Sequence, residues 1–210
     1  MTAKIKLNAA SGGGSISIQA PSSSSNNRVI SLPDIADGTL LTSQSSLDST
    51  KLSPAISAGI KQADQWRITA DFSASSSIIT SNWERNDTLF SYIGNGMTES
   101  SGIFTFPETG IYHILFNSRG NATSNATTYT GINIQGSQNS GSNYLELAAT
   151  YDSASTSSSY FSLSCTAFFD VTNISTCSVR FAVASQHTVN YNGGTDKQDT
   201  GVTFIRLGDT

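Results

Sequence analysis

The sequence predicts an all-β sandwich, and three observations carry that reading. Almost nothing from residue 66 onward repeats with helical period. Short apolar or alternating runs are separated there by clusters of Gly, Ser, Asn and Asp, the spacing of strands and turns. Ten such runs can be drawn, at 66–72, 89–93, 102–106, 111–118, 129–135, 144–151, 159–171, 177–185, 188–191 and 202–207. That number suits a jelly roll of roughly eight to ten strands. The loops 121–128, 136–142, 152–158 and 192–200 are long and polar.

Residues 1–65 have another texture. Ile5 and Leu7, Ile16 and Ile18, and Ile30 and Leu32 are apolar doublets at spacing two, punctuated by Gly12–Gly14 and Pro21–Ser25. Each doublet is too short to bury a core alone, so strands of this kind need partners, as in an intertwined oligomer. Asp37-Gly38 marks a turn. Ser53-Pro54 then offers an N-cap and a first helical residue, and Ile56, Ile60 and Ala63 follow at helical spacing. A helix of about three turns is too short to stand alone. It reads either as a trimeric neck, because core isoleucine favours three strands over two, or as a helix packed on its own subunit. The expected organisation is therefore a leader at 1–45, a neck at 46–65 and a sandwich knob at 66–210.

Composition excludes several classes. Charged residues are 12% of the 210, and the net charge is −4. The basic residues are scattered singly, so no cluster exists to neutralise phosphates, and a nucleic-acid partner is not expected. No run of about 18 apolar residues spans a membrane. Lys4 and Lys6 have no apolar segment behind them, so the N-terminus does not read as a secretory signal. Cys165 and Cys177 share the apolar faces of alternating runs and would lie nearly opposite in a hairpin about Val171. Two small buried thiols and a disulfide both fit that placement.

The stretch Gly102-Ile-Phe-Thr-Phe-Pro-Glu-Thr-Gly-Ile-Tyr-His-Ile-Leu-Phe116 resembles the signature of C1q/TNF-like domains. In that family a strand ending in an aromatic is followed by Pro, a two-residue turn, Gly, and a strand opening with Tyr. Pro107 and Gly110 would make the tight connection. Tyr112, Ile114 and Phe116 point to one face, and Ile111, His113 and Leu115 to the other. A strand apolar on both faces is buried on both, one face in the core and the other against a neighbour or subunit. Gly201–Gly208 resembles the closing strand of the same family. The resemblance implies a C1q/TNF-like jelly-roll knob in the trimeric form typical of the family, with Phe104, Phe106, Pro107, Gly110, Tyr112, Ile114 and Phe116 as its core and trimer signature.

The leader segments Gly14–Pro21, Asn27–Asp34 and Ala36–Thr42 resemble N-terminal segments of small structural proteins of marine bacteriophages. There such leaders precede interchangeable C-terminal heads. This implies a virion protein, with a tail fibre favoured over a capsid site, joined to another virion protein through residues 1–45.

No catalytic constellation is present. HExxH, GxSxG, P-loop and strand-to-helix GxGxxG patterns are all missing, so no enzyme is expected. His113 reads as a core or interface imidazole, while His187 beside a turn leaves a ligand-facing role open. No cofactor or metal is expected. Calcium is the weak alternative, through Asp196 and Asp199 with Asn190, Asn192 and Thr195 beside them. Asn121, Asn125 and Asn173 stand in glycosylation patterns that a phage protein would not use. Tyr129, Tyr144, Tyr151, Tyr160 and Tyr191 flank the polar loops, a combination suited to glycan or protein recognition. Asn139, Asn143, Tyr191 and Asn192 are the expected receptor-facing residues, toward a host surface glycan or protein. The expected function is adhesion by a trimeric fibre; capsid decoration and a lectin-like module are the alternatives.

Overall fold

The structure, a computed structural model, describes residues 4–8, 10–19, 23 and 59–210. The chain divides into two units, Met1–Leu47 and Asp48–Thr210. In the first, β1 (Lys4–Asn8) and β2 (Ser15–Gln19) form an antiparallel hairpin that pairs Ile5 with Ile18 and Leu7 with Ile16. Gly12 and Gly13 close it with φ of 82° and 68°, angles that side chains with a Cβ resist. Ile5 and Leu7 are exposed. The expected doublet at Ile30 and Leu32, the turn at Asp37-Gly38 and the helix start at Ser53-Pro54 lie outside the described residues.

The second unit contains β3 (Ala63–Ile68), β4 (Phe72–Ile78), β5 (Trp83–Arg85), β6 (Tyr92–Ile93), β7 (Thr98–Ser100) and β8 (Ile103–Thr105). It continues with β9 (Gly110–Ala122), β10 (Thr127–Ser137), β11 (Leu145–Ala154), β12 (Tyr160–Val171), β13 (Ser178–Tyr191) and β14 (Gly201–Gly208). The helical reading does not extend to Ile60 or Ala63: Ile60 is irregular, and Ala63 opens β3 opposite Ile205. A sheet ladder there outweighs the small intrinsic preference of a three-turn helix.

The twelve strands form one antiparallel ladder folded into two layers. One layer runs β12-β9-β14-β3, with β5 and β6 pairing β3. The other runs β11-β10-β13, with β4 and β8 pairing β13 and β7 outside β8. The layers are stitched at one end, where Val189–Tyr191 of β13 pair Ala122–Gly120 of β9. Alternation builds the core: Phe161, Leu163, Cys165, Ala167, Phe169 and Val171 of β12 point in, facing the alternate buried residues of β10 and β13. Phe104 sits at the centre, edge-on to Trp66, Trp83 and Phe181 at 5.5, 5.1 and 5.4 Å between ring centroids.

Two buried charges tie the 84–97 segment to β3. The Asp64 carboxylate accepts from the Trp66 indole at 2.9 Å, the Met97 amide at 2.6 Å and Arg85 at 3.2 Å. Arg67, 1% exposed, donates to Glu84, Asn86 and Asp87. Each charge is matched by several partners, which offsets its desolvation.

The expected cysteine hairpin does not form. β12 pairs β9 along its whole length, and β13 pairs β10, because the chain crosses from one layer to the other between Val171 and Ser178. Cys165 and Cys177 are free and buried. Burial, and secondarily the Glu146 charge, pushes the Cys165 thiol up to about 12. Burial does the same to Tyr112, helped by the Glu108 charge, and to Tyr191, against its bond with Thr130; both reach about 12. Unfolded, these groups release their protons from 9.0 for the thiol and 10.0 for the phenols. The folded state thus holds protons that the unfolded state loses, so stability is full below those values and falls as pH rises towards 12. The urea midpoint should decline steadily across that alkaline window; a flat midpoint would show the three groups to be exposed.

Candidate functional site

The tight turn between β8 and β9 is built on Gly110. Its φ is 139°, and a Cβ there would strike the Gly208 carbonyl oxygen and the Arg206 guanidinium. Arg206 is itself held, donating to the Thr109 carbonyl at 2.8 Å. Pro107 is half-buried before the turn. Tyr112 is 1% exposed, and its hydroxyl donates to the Glu108 carbonyl at 3.0 Å, so the turn backbone satisfies the one polar atom the ring carries inward. Phe104, Phe106, Ile114 and Phe116 are buried in the same core, with Phe106 packed on Tyr112 at 4.7 Å.

Among the described residues, no strand packs over the opposite face of β9. Ile111, His113 and Leu115 are half-buried on it. The register sets Phe168 of β12 opposite His113, and His113 opposite Ile205 of β14, so the three lie on one line across three strands. Phe168 is 68% exposed and Leu207 58%. The His113 imidazole lies 5.3 Å from the Phe168 ring and bonds Thr166 Oγ1 through Nε2 at 2.5 Å. Beyond Leu115 the outward residues of β9 turn polar: Asn117, Arg119 and Asn121. The face is thus apolar at the Gly110 end, and burying it against another surface would remove Phe168, Ile205 and Leu207 from water.

The four expected receptor-facing residues do not form one site. Asn139 and Asn143 are exposed in the loop between β10 and β11. Asn139 Oδ1 accepts from Ser137 Oγ at 2.8 Å and from the Asn143 amide at 3.1 Å, bracing the loop from within. Tyr191 is no loop residue. β13 runs on through it, on the inward parity shared with Val189, so it is fully buried, stacked on Phe72 at 5.1 Å with its hydroxyl 3.1 Å from Thr130 Oγ1. Asn192 is half-buried and donates to Asp71 at 3.3 Å. It lies at the far end of β13 from the Asn139 loop, a strand length of roughly 40 Å away. Asp71 also accepts from the Gly193 amide at 2.8 Å and from Asn190, which hold its carboxyl below the usual range.

In the loop read as a calcium candidate, Asp199 is engaged by Arg119 at 2.9 Å and by Lys197 at 3.5 Å. Among the described residues, no three His, Cys, Asp or Glu side chains gather as a metal group. Tyr129 and Tyr151 are exposed and pack edge to face at 6.2 Å. Tyr160 is the most exposed tyrosine of the five. Sequence reasoning passed over Asp64, Arg67 and Arg180. Their signal is a charged residue inside an otherwise apolar or small-residue strand, as in Val179-Arg180-Phe181.

No family model matches the chain, and no curated protein matches it. Among solved structures it is similar to murine APRIL in the crystal structure at pH 5.0, with 14% identity and a TM-score of 0.53, covering 70% of this chain and 98% of that one. It is also similar to the Eiger TNF from S. frugiperda, with 11% identity and a TM-score of 0.53, covering 70% of this chain and 93% of that one. At that level of identity the likeness speaks to the fold, and with the strand order above it shows that the chain carries an all-β jelly roll of the TNF-like kind.

Proposed function

We propose that this chain is a homotrimeric virion protein of a bacteriophage, a fibre or receptor-binding protein whose jelly-roll knob adheres to the host surface. The observation that carries the reading is the apolar line Phe168–His113–Ile205 on the outward face of the β9 layer. Three copies packed through that face remove it from water, and the TNF-like fold supports the same arrangement. Presented on one axis, three weak contacts with the host combine by avidity. The leader supplies the link to the particle. A two-stranded hairpin such as β1–β2 is marginal alone, and its exposed Ile5 and Leu7 suit burial in an assembly. The reading includes no catalytic step.

Deleting residues 1–45 should leave a folded, soluble knob that no longer joins the particle, because among the described residues the core cluster lies within β3–β14 and the loops between them. Circular dichroism and limited proteolysis check the fold; an unfolded product would contradict it. Cryo-electron microscopy of particles tests the location. Density for the knob at the tail is the expected result, and density on the capsid lattice would replace the fibre with a decoration protein.

A further inference from the structure

Among the described residues there are five arginines, and four of them are ion-paired: Arg67 with Glu84, Arg85 with Asp64, Arg119 with Asp199 and Arg206 with Glu108. Arg180 pairs with no carboxylate among the described residues, yet its side chain is held in place. Its guanidinium carbon lies 4.0 Å over the centre of the Tyr144 ring, and its Nε donates to Gln135 Oε1 at 2.7 Å. Tyr144 is fixed in turn, its hydroxyl 2.9 Å from Ser178 Oγ. Holding a long side chain still costs rotamer entropy, and among the described residues no ion pair offsets it. What the arrangement leaves open is the end of the fork, the two terminal nitrogens, which match a planar carboxylate in bidentate fashion.

Beside the fork lies a hollow of about 320 Å³, lined by Tyr144, Ile103, Thr105, Ser140, Thr176 and Ser178 among others. The hollow and the fork adjoin: Ile103 is the register partner of Arg180, and Tyr144 belongs to both. Hydroxyl-bearing residues make up most of the hollow's lining, beside the Tyr144 ring, Ile103, Gly141 and Cys177. Hydroxyls with an apolar ring face are the chemistry that meets a pyranose on its hydroxyl edges and its apolar face. Only one cation is offered. Glu146 stands opposite Gln135 in register, so a run of acidic groups would meet repulsion where a single carboxylate would not. This surface belongs to the β10–β13–β8 layer, away from the apolar line on β9, and trimer contacts through that line leave three copies of it facing outward.

We propose that Arg180, with Gln135, Tyr144 and the adjoining hollow, binds the carboxylate of an acidic sugar, of the uronic acid class, on the host surface. The proposal rests on the receptor-binding reading and names the chemistry of its ligand.

The test uses the full chain and two matched probes, methyl β-D-glucuronide and its neutral isostere methyl β-D-glucoside, titrated by saturation-transfer NMR. The glucuronide should bind about tenfold or more tighter than the glucoside. Arg180→Gln should erase that preference with little change in melting temperature, and Arg180→Lys should restore only part of it. Equal binding of the two probes, or binding of neither, overturns the proposal without any variant. So does a glutamate-rich peptide that binds better than the glucuronide, which would make the site one for acidic protein. Host-cell adhesion is read in parallel. Adhesion without glucuronide preference removes this site and leaves the receptor reading standing. Glucuronide preference without adhesion supports the site and counts against the receptor reading.

Discussion

Gly110→Val is expected to destabilise the knob severely, while Thr109→Val next to it is expected to be tolerated. Two costs add at Gly110. A β-branched residue is forced to a φ of 139°, and its Cβ collides with the Gly208 carbonyl and with an Arg206 side chain that Thr109 already anchors. Backbone strain of this kind costs about 1–3 kcal/mol, and overpacking against fixed groups brings the sum to roughly 3–5 kcal/mol. For a chain of this size that lowers the melting temperature by about 10 °C or more. Thr109 is exposed and meets no such limit. Because assembly shifts apparent stability, both variants are to be melted at one protein concentration. Equal melting temperatures would remove the turn from the account.

Phe168→Asp is expected to convert the proposed trimer to a monomer without unfolding it. In the single chain Phe168 is 68% exposed, so its loss costs the subunit about 0.5 kcal/mol or less. In the trimer each copy would bury a carboxylate whose register partner is the His113 imidazole, already bonded to Thr166, and desolvating three such carboxylates costs more than one imidazole apiece offsets. Leu89→Asp is the control, since Leu89 is fully exposed in the loop between β5 and β6. Sedimentation velocity should show a monomer for the first and an unchanged assembly for the second. A trimer that survives Phe168→Asp would move the interface elsewhere.

The fold was legible where residue type and spacing agree. Phe104 to Phe116 alternates cleanly around a Pro–Gly turn, and nothing competes with that pattern. β4 was not legible. Phe72-Ser-Ala-Ser-Ser-Ser-Ile78 reads as a polar loop because its serines are exposed, and only pairing with β13 makes it a strand. Leu89 misled in the other sense: an apolar residue in a strand-like run, it sits exposed at a φ of 65°. Tyr191, the last residue of the run 188–191, was read as receptor-facing because it borders the polar loop 192–200, although its parity with Val189 places it inward. The cysteine hairpin failed because sequence neighbours were taken as ladder neighbours, and in a two-layer sandwich the chain crosses between layers. Arg180 is flagged locally only as a charge between Val179 and Phe181; its partners are not local, because Gln135, Tyr144 and Ile103 reach it through different strand pairings or loops.

The central claim is that the knob works as three copies packed through the β9 face. Sedimentation equilibrium of the full chain at micromolar concentration tests it most directly. The account predicts a mass about three times the 22.1 kDa of one chain. A single species at 22.1 kDa would contradict it.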